Sequence, residues 1–340
     1  MSVFPTQYST LSSLALGEFL GKAYGLGEVI CKFLTRNVSD TYVLEGESDK
    51  YIFKLYRDAH RHVDEIKAEA ELLTILKERG AKVAYPISDL AGNQLQSFNA
   101  AEGTRYGILF NFAPGKFTRD LTEKRLRIIG QEMAFIHNIT SEIELQFPRR
   151  VYDVQTTLIG PLENIKPAFV ELPDEYAYLK ETTQKVIAKL SQFDLSKFSY
   201  GYCHYDFLPK NFHFDENDLV TFFDFDFAGK GVLANDLMSF FVHFFFEVEH
   251  KFLTKEEADR QFAQFITAYR EVRPLSDAEI EAIPYLGYAF WLFFFEFYQL
   301  QYEDWSNTFF GPTFKKQRVA LMKKWIGLYC DFSSLEKQPF

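Results

Sequence analysis

Two spacings of apolar residues succeed one another along this 340-residue chain. Alternation with period two predicts strands over 29–34, 41–45 and 51–56, the last two joined by the polar turn Gly-Glu-Ser-Asp-Lys. Helical spacing precedes them over 11–25, ending at Gly25 or Gly27, and follows them over 63–79, where Gly80 stops it. Two more strands are expected over 83–90 and 105–112, around a turn containing Gly92. The stretch Ala-Pro-Gly-Lys at 113–116 breaks the pattern. Beyond it, helical spacing dominates over 121–138 and 174–193, and aromatic-rich helices are expected from 235 to the end. Residues 203–231 interrupt this as loop, strand, turn, strand and loop. The expectation is an α+β fold in two lobes: an antiparallel sheet with one main helix over 1–112, a connector about 110–115, and a larger, mainly helical lobe over 113–340.

Composition narrows the class. Thirty-eight Phe point to an aromatic core. A net charge of −10 argues against a nucleic-acid surface. Cys31, Cys203 and Cys330 lie far apart, without the spacing of a structural zinc site, and suit a reducing, cytoplasmic setting. The N-terminal stretch lacks the basic and apolar segments of a signal peptide. The most apolar run, 285–295, is too short to span a bilayer and is followed by Glu296, so it is expected as a buried helix and no membrane partner is foreseen.

The interruption at 203–231 carries the chemistry. Carboxylates among Phe and Tyr are costly unless something holds them charged. His204, Asp206 and Asn211 form His-x-Asp-x-x-x-x-Asn, and Asp224 follows Asp206 by eighteen residues within Phe-Phe-Asp-Phe. This is the two-part signature of kinase-type phosphoryl transfer. Mg²⁺ takes few protein carboxylates and completes its shell with phosphate oxygens and water, so Asn211 and Asp224 suffice as its protein ligands. Asp206 is then the base that orients the acceptor hydroxyl and takes its proton. In this motif family the His is more often structural, so His204 is expected to fix the loop; Lys210 and Lys230 are expected as exposed lysines, with contact to phosphate as the alternative, and whether Asp226 joins the metal site stays open. Upstream, Lys54 sits in the middle of an otherwise apolar strand. Glu69 falls on the helix stripe Ile66, Glu69, Leu73 and Leu76, where an apolar residue belongs. A Lys54–Glu69 pair would hold the phosphates. Between the first two strands, Leu-Thr-Arg-Asn-Val-Ser-Asp-Thr-Tyr lacks a Gly-rich motif, leaving Ser39 and backbone N–H groups to meet phosphate. Asn111 and Phe112 lie in the connector whose backbone would meet adenine.

Lys54, Glu69, "HYDFLPKN" and "FFDFDFAGKGVLANDLMSF" together resemble the aminoglycoside phosphotransferase and choline kinase superfamily, whose fold is protein-kinase-like, with wording nearest the homoserine-kinase-type branch. The resemblance implies ATP and Mg²⁺ as cofactors, a small-molecule hydroxyl as acceptor, and a structural role for Asp236 beneath the catalytic loop. There is no Ala-Pro-Glu segment, which argues against a protein substrate. The chain departs from the aminoglycoside pattern at Asp226 and Phe227. Family acceptor sites are lined by C-terminal helices. Here Glu247, Glu249, Glu296, Glu303 and Asp304 could meet an ammonium group, with Trp291 or Tyr298 adding cation–π attraction. Amino-alcohol, aminoglycoside and sugar-like acceptors stay open, as does oligomeric state. Two rival readings are a catalytically silent nucleotide-binding scaffold and a carboxylate-metal hydrolase using Asp206, Asp224 and Asp226. The scaffold fits poorly with a complete set of Lys54, Glu69, Asp206, Asn211 and Asp224, and the hydrolase has no use for Lys54 and Glu69.

Overall fold

Lys54 and Asp224 are 170 residues apart in sequence yet in contact, because the chain does not divide into two continuous stretches. The computed structural model describes residues 4–6, 8–57, 61–301 and 310–335 and separates into two compact units. Unit 1 comprises 1–118, 144–149 and 212–226; unit 2 comprises 119–143, 150–211 and 227–340. The boundary expected at 112/113 thus falls at 118/119, and two later segments return to unit 1. The first is fastened by Gln146 N–H to the Glu71 carboxylate, at 2.9 and 3.0 Å. The second is fastened by Val83 and Lys116, which bridge to Phe222 and Phe214.

Unit 1 is built on a five-stranded antiparallel sheet in the order β1-β2-β3-β5-β4: β1 (Ile30–Arg36), β2 (Ser39–Glu45), β3 (Lys50–Tyr56), β4 (Leu95–Ala100) and β5 (Gly103–Asn111). Helix α1 (Ser13–Ala23), capped by the Ser12 side chain, lays Leu16 and Leu20 on Tyr42, Leu44, Phe53, Leu55 and Leu109. Period-two alternation then turns Ile52, Lys54 and Tyr56 to the opposite face. Helix α2 (Val63–Glu78) begins with a capping box between His62 and Glu65 and buries Ile66, Glu69, Leu73 and Leu76. The strand expected over 83–90 does not form. Val83 and Pro86 make single bridges only, Pro86 having no N–H for a ladder, and the sheet edge beside β5 is taken by β4.

Unit 2 is mainly helical: α3 (Glu123–Thr140), α4 (Gly160–Ile165), α5 (Pro173–Leu190), α6 (Ala234–Glu249), α7 (Lys255–Arg270), α8 (Asp277–Leu300) and α9 (Pro312–Tyr329). A small sheet runs β6-β10-β7, from β6 (Val151–Tyr152), β7 (Tyr200–Cys203) and β10 (Gly229–Val232), while the hairpin β8 (Phe212–Phe214) and β9 (Val220–Phe222) belongs to unit 1. By length and composition α8 could cross a membrane. Here most of it is buried in unit 2, with Phe290, Trp291, Phe293 and Phe295 in the core, as expected for the apolar run 285–295.

Candidate active site

In unit 1 the pairing of β3 with β2 and β5 sets Lys54 opposite Thr41 on one side and Ile108 on the other. The side chain is only 8% exposed. Three carboxylates surround its ammonium: Asp224 at 2.9 Å, Asp226 at 3.0 Å and Glu69 at 3.6 Å. Burial alone pulls a lysine pKa down, but Asp224, Asp226 and Glu69 together outweigh it and hold Lys54 well above the ordinary value. One ammonium cannot neutralise three acids, and the deficit falls on Asp226. Burial first, then the charges of Glu69 and Asp224, push its carboxyl up to about 7 against the pull of Lys54 and Arg61. Asp226 Oδ1 and Glu69 Oε2 are buried without a hydrogen-bond partner. Asp224 is held at φ +66°, a left-handed conformation that an L-residue adopts at a cost, and its side chain is 42% exposed.

Two arginines hold the backbone of this segment. Arg61 donates to Asp226 O at 2.8 Å; Arg149 donates to Phe225 O and Asp226 O at 3.0 and 2.9 Å, and to Glu65 O on α2 at 2.8 Å. Neither carries a spacing signature in the sequence. Ser39 is not in a loop: it opens β2, is buried, and pairs with Tyr56 on the face that bears Lys54. Asn111 uses its side-chain oxygen to accept Tyr85 N–H at 2.7 Å and donates its own N–H to Tyr85 O at 3.2 Å, so neither group is left to meet a base.

Unit 2 assembles the second half of the motif. Asp236, 1% exposed at the start of α6, accepts His204 N–H at 2.8 Å and Tyr205 N–H at 2.7 Å. Ser239, one turn later, accepts Phe207 N–H at 2.9 Å. These bonds, with the Tyr205 ring stacked 3.5 Å from Tyr152, hold Tyr205 at φ +67°. Behind Asp236 lies His137 of α3, fully buried, with Nε2 at 3.0 Å from Asp236 and Nδ1 at 2.8 Å from the Tyr269 hydroxyl of α7. A carboxylate can only accept, so Nε2 carries a proton and donates it to Asp236. On the loop so held, Asp206 is 4% exposed. Its Oδ2 accepts from Asn211 Nδ2 at 3.0 Å and pairs with Lys210 at 2.8 Å. Lys210, read from sequence as a surface lysine, is therefore a partner of Asp206, four residues on. The Asn211 amide nitrogen is committed to Asp206, which leaves its oxygen to a ligand, and Oδ1 of Asp206 is the oxygen not engaged by either neighbour.

The acids considered for an ammonium group are engaged within unit 2. Glu247 is buried and lies 3.3 Å from Arg119, and burial raises its pKa. Glu296 accepts from Asn164 Nδ2 at 2.6 Å, and Glu249 pairs with Lys324. Glu303 and Asp304 lie outside the described residues.

The residues fit a divalent cation. Asp224 offers an accessible carboxylate, and the partnerless oxygen of Asp226 lies buried two residues on.

A protein of Deinococcus radiodurans is 28% identical over 322 residues, covering 95% of this chain and 92% of that protein. A homoserine kinase of Phenylobacterium zucineum is 27% identical over 283 residues, covering 82% of this chain and 80% of the relative. The solved structure of an amicoumacin kinase in complex with AMP-PNP, Ca²⁺ and Ami superposes with a TM-score of 0.70 at 18% identity, covering 96% of this chain and 97% of that one. The phosphotransferase enzyme family matches residues 30–275. The chain belongs to that family: it is a phosphotransferase of the small-molecule kinase type, with an alcohol group as acceptor and a kinase-like fold.

Proposed function

We propose that this phosphotransferase moves the γ-phosphoryl group of ATP, with Mg²⁺, to a hydroxyl of a small molecule: an amino-alcohol, an aminoglycoside or a sugar-like compound. One observation carries the reading: an ammonium, Lys54, surrounded by more carboxylate than it can neutralise, with buried acid oxygens left without partners. Such a cluster is balanced by adding a cation. A silent scaffold would be expected to have lost at least one of Lys54, Glu69, Asp206, Asn211 and Asp224, and a carboxylate-metal hydrolase has no use for Lys54 and Glu69. Further support comes from the amicoumacin kinase structure, solved in complex with AMP-PNP and Ca²⁺, and from relatives named homoserine kinase.

Lys54, steadied by Glu69, binds the nucleotide's phosphates, and Asn211 and Asp224 are the metal's protein ligands. When bound, the metal offsets the negative charge of the phosphate oxygens. Asp206 orients the acceptor hydroxyl through Oδ1 and takes its proton as the oxygen attacks, while Asn211 and Lys210 steady Oδ2. Asp236, with His137 behind it, fixes the loop that presents Asp206. The test is a panel of hydroxylated amines, amino acids and sugars scored for ATP-dependent phosphorylation, with Asp206→Asn as the blank. Phosphate release without an acceptor product would favour the hydrolase reading instead.

A further inference from the structure

The tip joining β1 to β2, residues 36–39, reads Arg-Asn-Val-Ser and has no glycine, and it is supported from the far side of the sheet. Asp40, next after Ser39, pairs with Leu55, which packs in the cluster under α1. Asp40 therefore turns away from the face that bears Lys54. It is fully buried and accepts from Arg36 Nε at 3.2 Å, from Arg105 Nη2 at 3.1 Å and from the Tyr8 hydroxyl. Among the described residues three arginines gather on the Tyr8 ring: the guanidinium carbons of Arg36, Arg57 and Arg105 lie 4.1, 4.5 and 5.2 Å from its centroid. Arrangements of this kind are attractive, more so where water is excluded. Arg57 carries the contact onward, donating from Nη1 to Asn37 O in the tip at 3.2 Å. Burial, then the hydrogen bond to Asp40, push the Tyr8 phenol up to about 12, so at neutral pH it is a donor.

The segment that brings Tyr8 here is itself fastened within unit 1. Ser9 Oγ donates to Glu102 Oε2 at 2.6 Å, and Ser9 O accepts from Arg105 Nη1 at 2.9 Å. Thr10 Oγ1 accepts from Arg36 Nη2, and Leu11 O accepts from the Tyr42 hydroxyl at 2.9 Å. Asp40 and Arg105 are both buried and already form an ion pair, so the sheet does not need Tyr8 to balance them. What Tyr8 adds is a link from that pair to Arg36 and Arg57, the arginines that reach the tip. The link bears on binding. Ser39 opens β2 on the face of Lys54, so the tip and the ammonium face the same ligand. A tip that the ligand has to order binds it more weakly, in proportion to the time the tip spends out of place.

We propose that Tyr8 is a positioning residue for the nucleotide: by joining Asp40 to Arg36 and Arg57 it keeps the β1–β2 tip ordered, with Ser39 and the tip N–H groups in place for phosphate. The proposal rests on the kinase reading, in which this tip meets the phosphates of ATP. Two variants and two ligands test it. Tyr8→Leu removes ring and hydroxyl together, and Tyr8→Phe keeps the ring among the arginines. Calorimetry measures Kd for Mg·ATP and for adenosine, which has no phosphate. With the ordered tip reduced to about a tenth of the population in Tyr8→Leu, Kd for Mg·ATP rises about 10-fold, and Kd for adenosine stays as in wild type. Tyr8→Phe should fall between. Hydrogen exchange of the ligand-free protein should quicken at the amides of residues 36–39, more in Tyr8→Leu than in Tyr8→Phe. A merely structural role would lower the melting temperature and leave the ratio of the two Kd values unchanged. An unchanged ratio, or unchanged exchange at the tip, would overturn the proposal. If Tyr8→Leu does not fold, Tyr8→Phe decides by the same ratio. The kinase reading fails separately: wild-type protein that binds Mg·ATP no more tightly than adenosine sinks that reading and the proposal with it. A wild-type preference for Mg·ATP that survives in both variants sinks the role of Tyr8 alone.

Discussion

Replacing Asp226 by Asn should stabilise the protein, and by an amount that depends on pH. Asparagine keeps the shape of the protonated acid and cannot ionise. The folded-state value of Asp226 is about 7, against 3.8 for an ordinary aspartate, because burial and two neighbouring acids oppose its charge more than Lys54 and Arg61 favour it. The native state therefore binds this proton more tightly than the unfolded chain does. Stability falls as pH rises through the window between the two values: the effect is absent below about pH 4 and complete above about pH 7. At about 1.4 kcal/mol per pKa unit, the difference in unfolding free energy between Asp226→Asn and wild type should grow by roughly 2 to 3 kcal/mol from pH 5 to pH 8. Groups that do not interact with Asp226 cancel in the difference between the two proteins. Urea unfolding at both pH values, with EDTA and no nucleotide, measures it. A difference that stays constant, or an Asp226→Asn protein that is the less stable at pH 8, would refute the assignment of the charge deficit to Asp226.

Asp206→Asn should leave nucleotide affinity nearly intact and lower kcat by about 100- to 10,000-fold, the usual contribution of a general base; unchanged turnover in a coupled ADP assay would remove Asp206 from that role. Asp224→Ala should abolish the Mg²⁺-dependent part of the nucleotide-induced rise in melting temperature, whereas an unaffected shift would put the metal elsewhere. His137→Phe removes the donor behind Asp236 and leaves a buried carboxylate short of one bond, at a cost of about 1–3 kcal/mol. It should lower both urea midpoint and kcat, with KM for ATP unchanged. Lys54→Met should raise the KM for ATP at least tenfold, read from initial rates, if the ammonium holds phosphate.

Residues whose chemistry dictates a sequence spacing were readable in advance, and those recruited by tertiary contact were not. Glu69 betrayed itself by occupying an apolar stripe on its helix, and the structure has it 3.6 Å from Lys54. The same reasoning could not find Arg61 and Arg149, since a lone arginine bonding backbone carbonyls leaves no periodic trace. His137 and Tyr269 sit on different helices and meet through a hydrogen bond and an edge-on ring contact between two buried side chains. Lys210 was visible as a lysine four residues beyond Asp206, but a surface lysine was the simpler reading. The strand expected over 83–90 failed because apolar density alone does not show that Pro86 interrupts a ladder. Residues 95–100 instead form β4, with only Gln96 buried and the rest partly or fully exposed, so the apolar pattern gave little notice of it. The domain boundary failed for a related reason: composition changes once, near 113, whereas the chain re-enters unit 1 at 144 and again at 212.

That re-entry has a consequence for biogenesis. The ribosome must release residue 226 before unit 1 possesses all its parts, so its sheet emerges long before the hairpin and the acids that complete it. Until then Lys54 has only Glu69 as a counter-ion, and the strands that receive 212–226 stay uncovered. A truncated product ending at residue 118 would accordingly resemble a nascent intermediate more than an independent module, and the nascent chain is a natural client for chaperones over the intervening hundred or so residues.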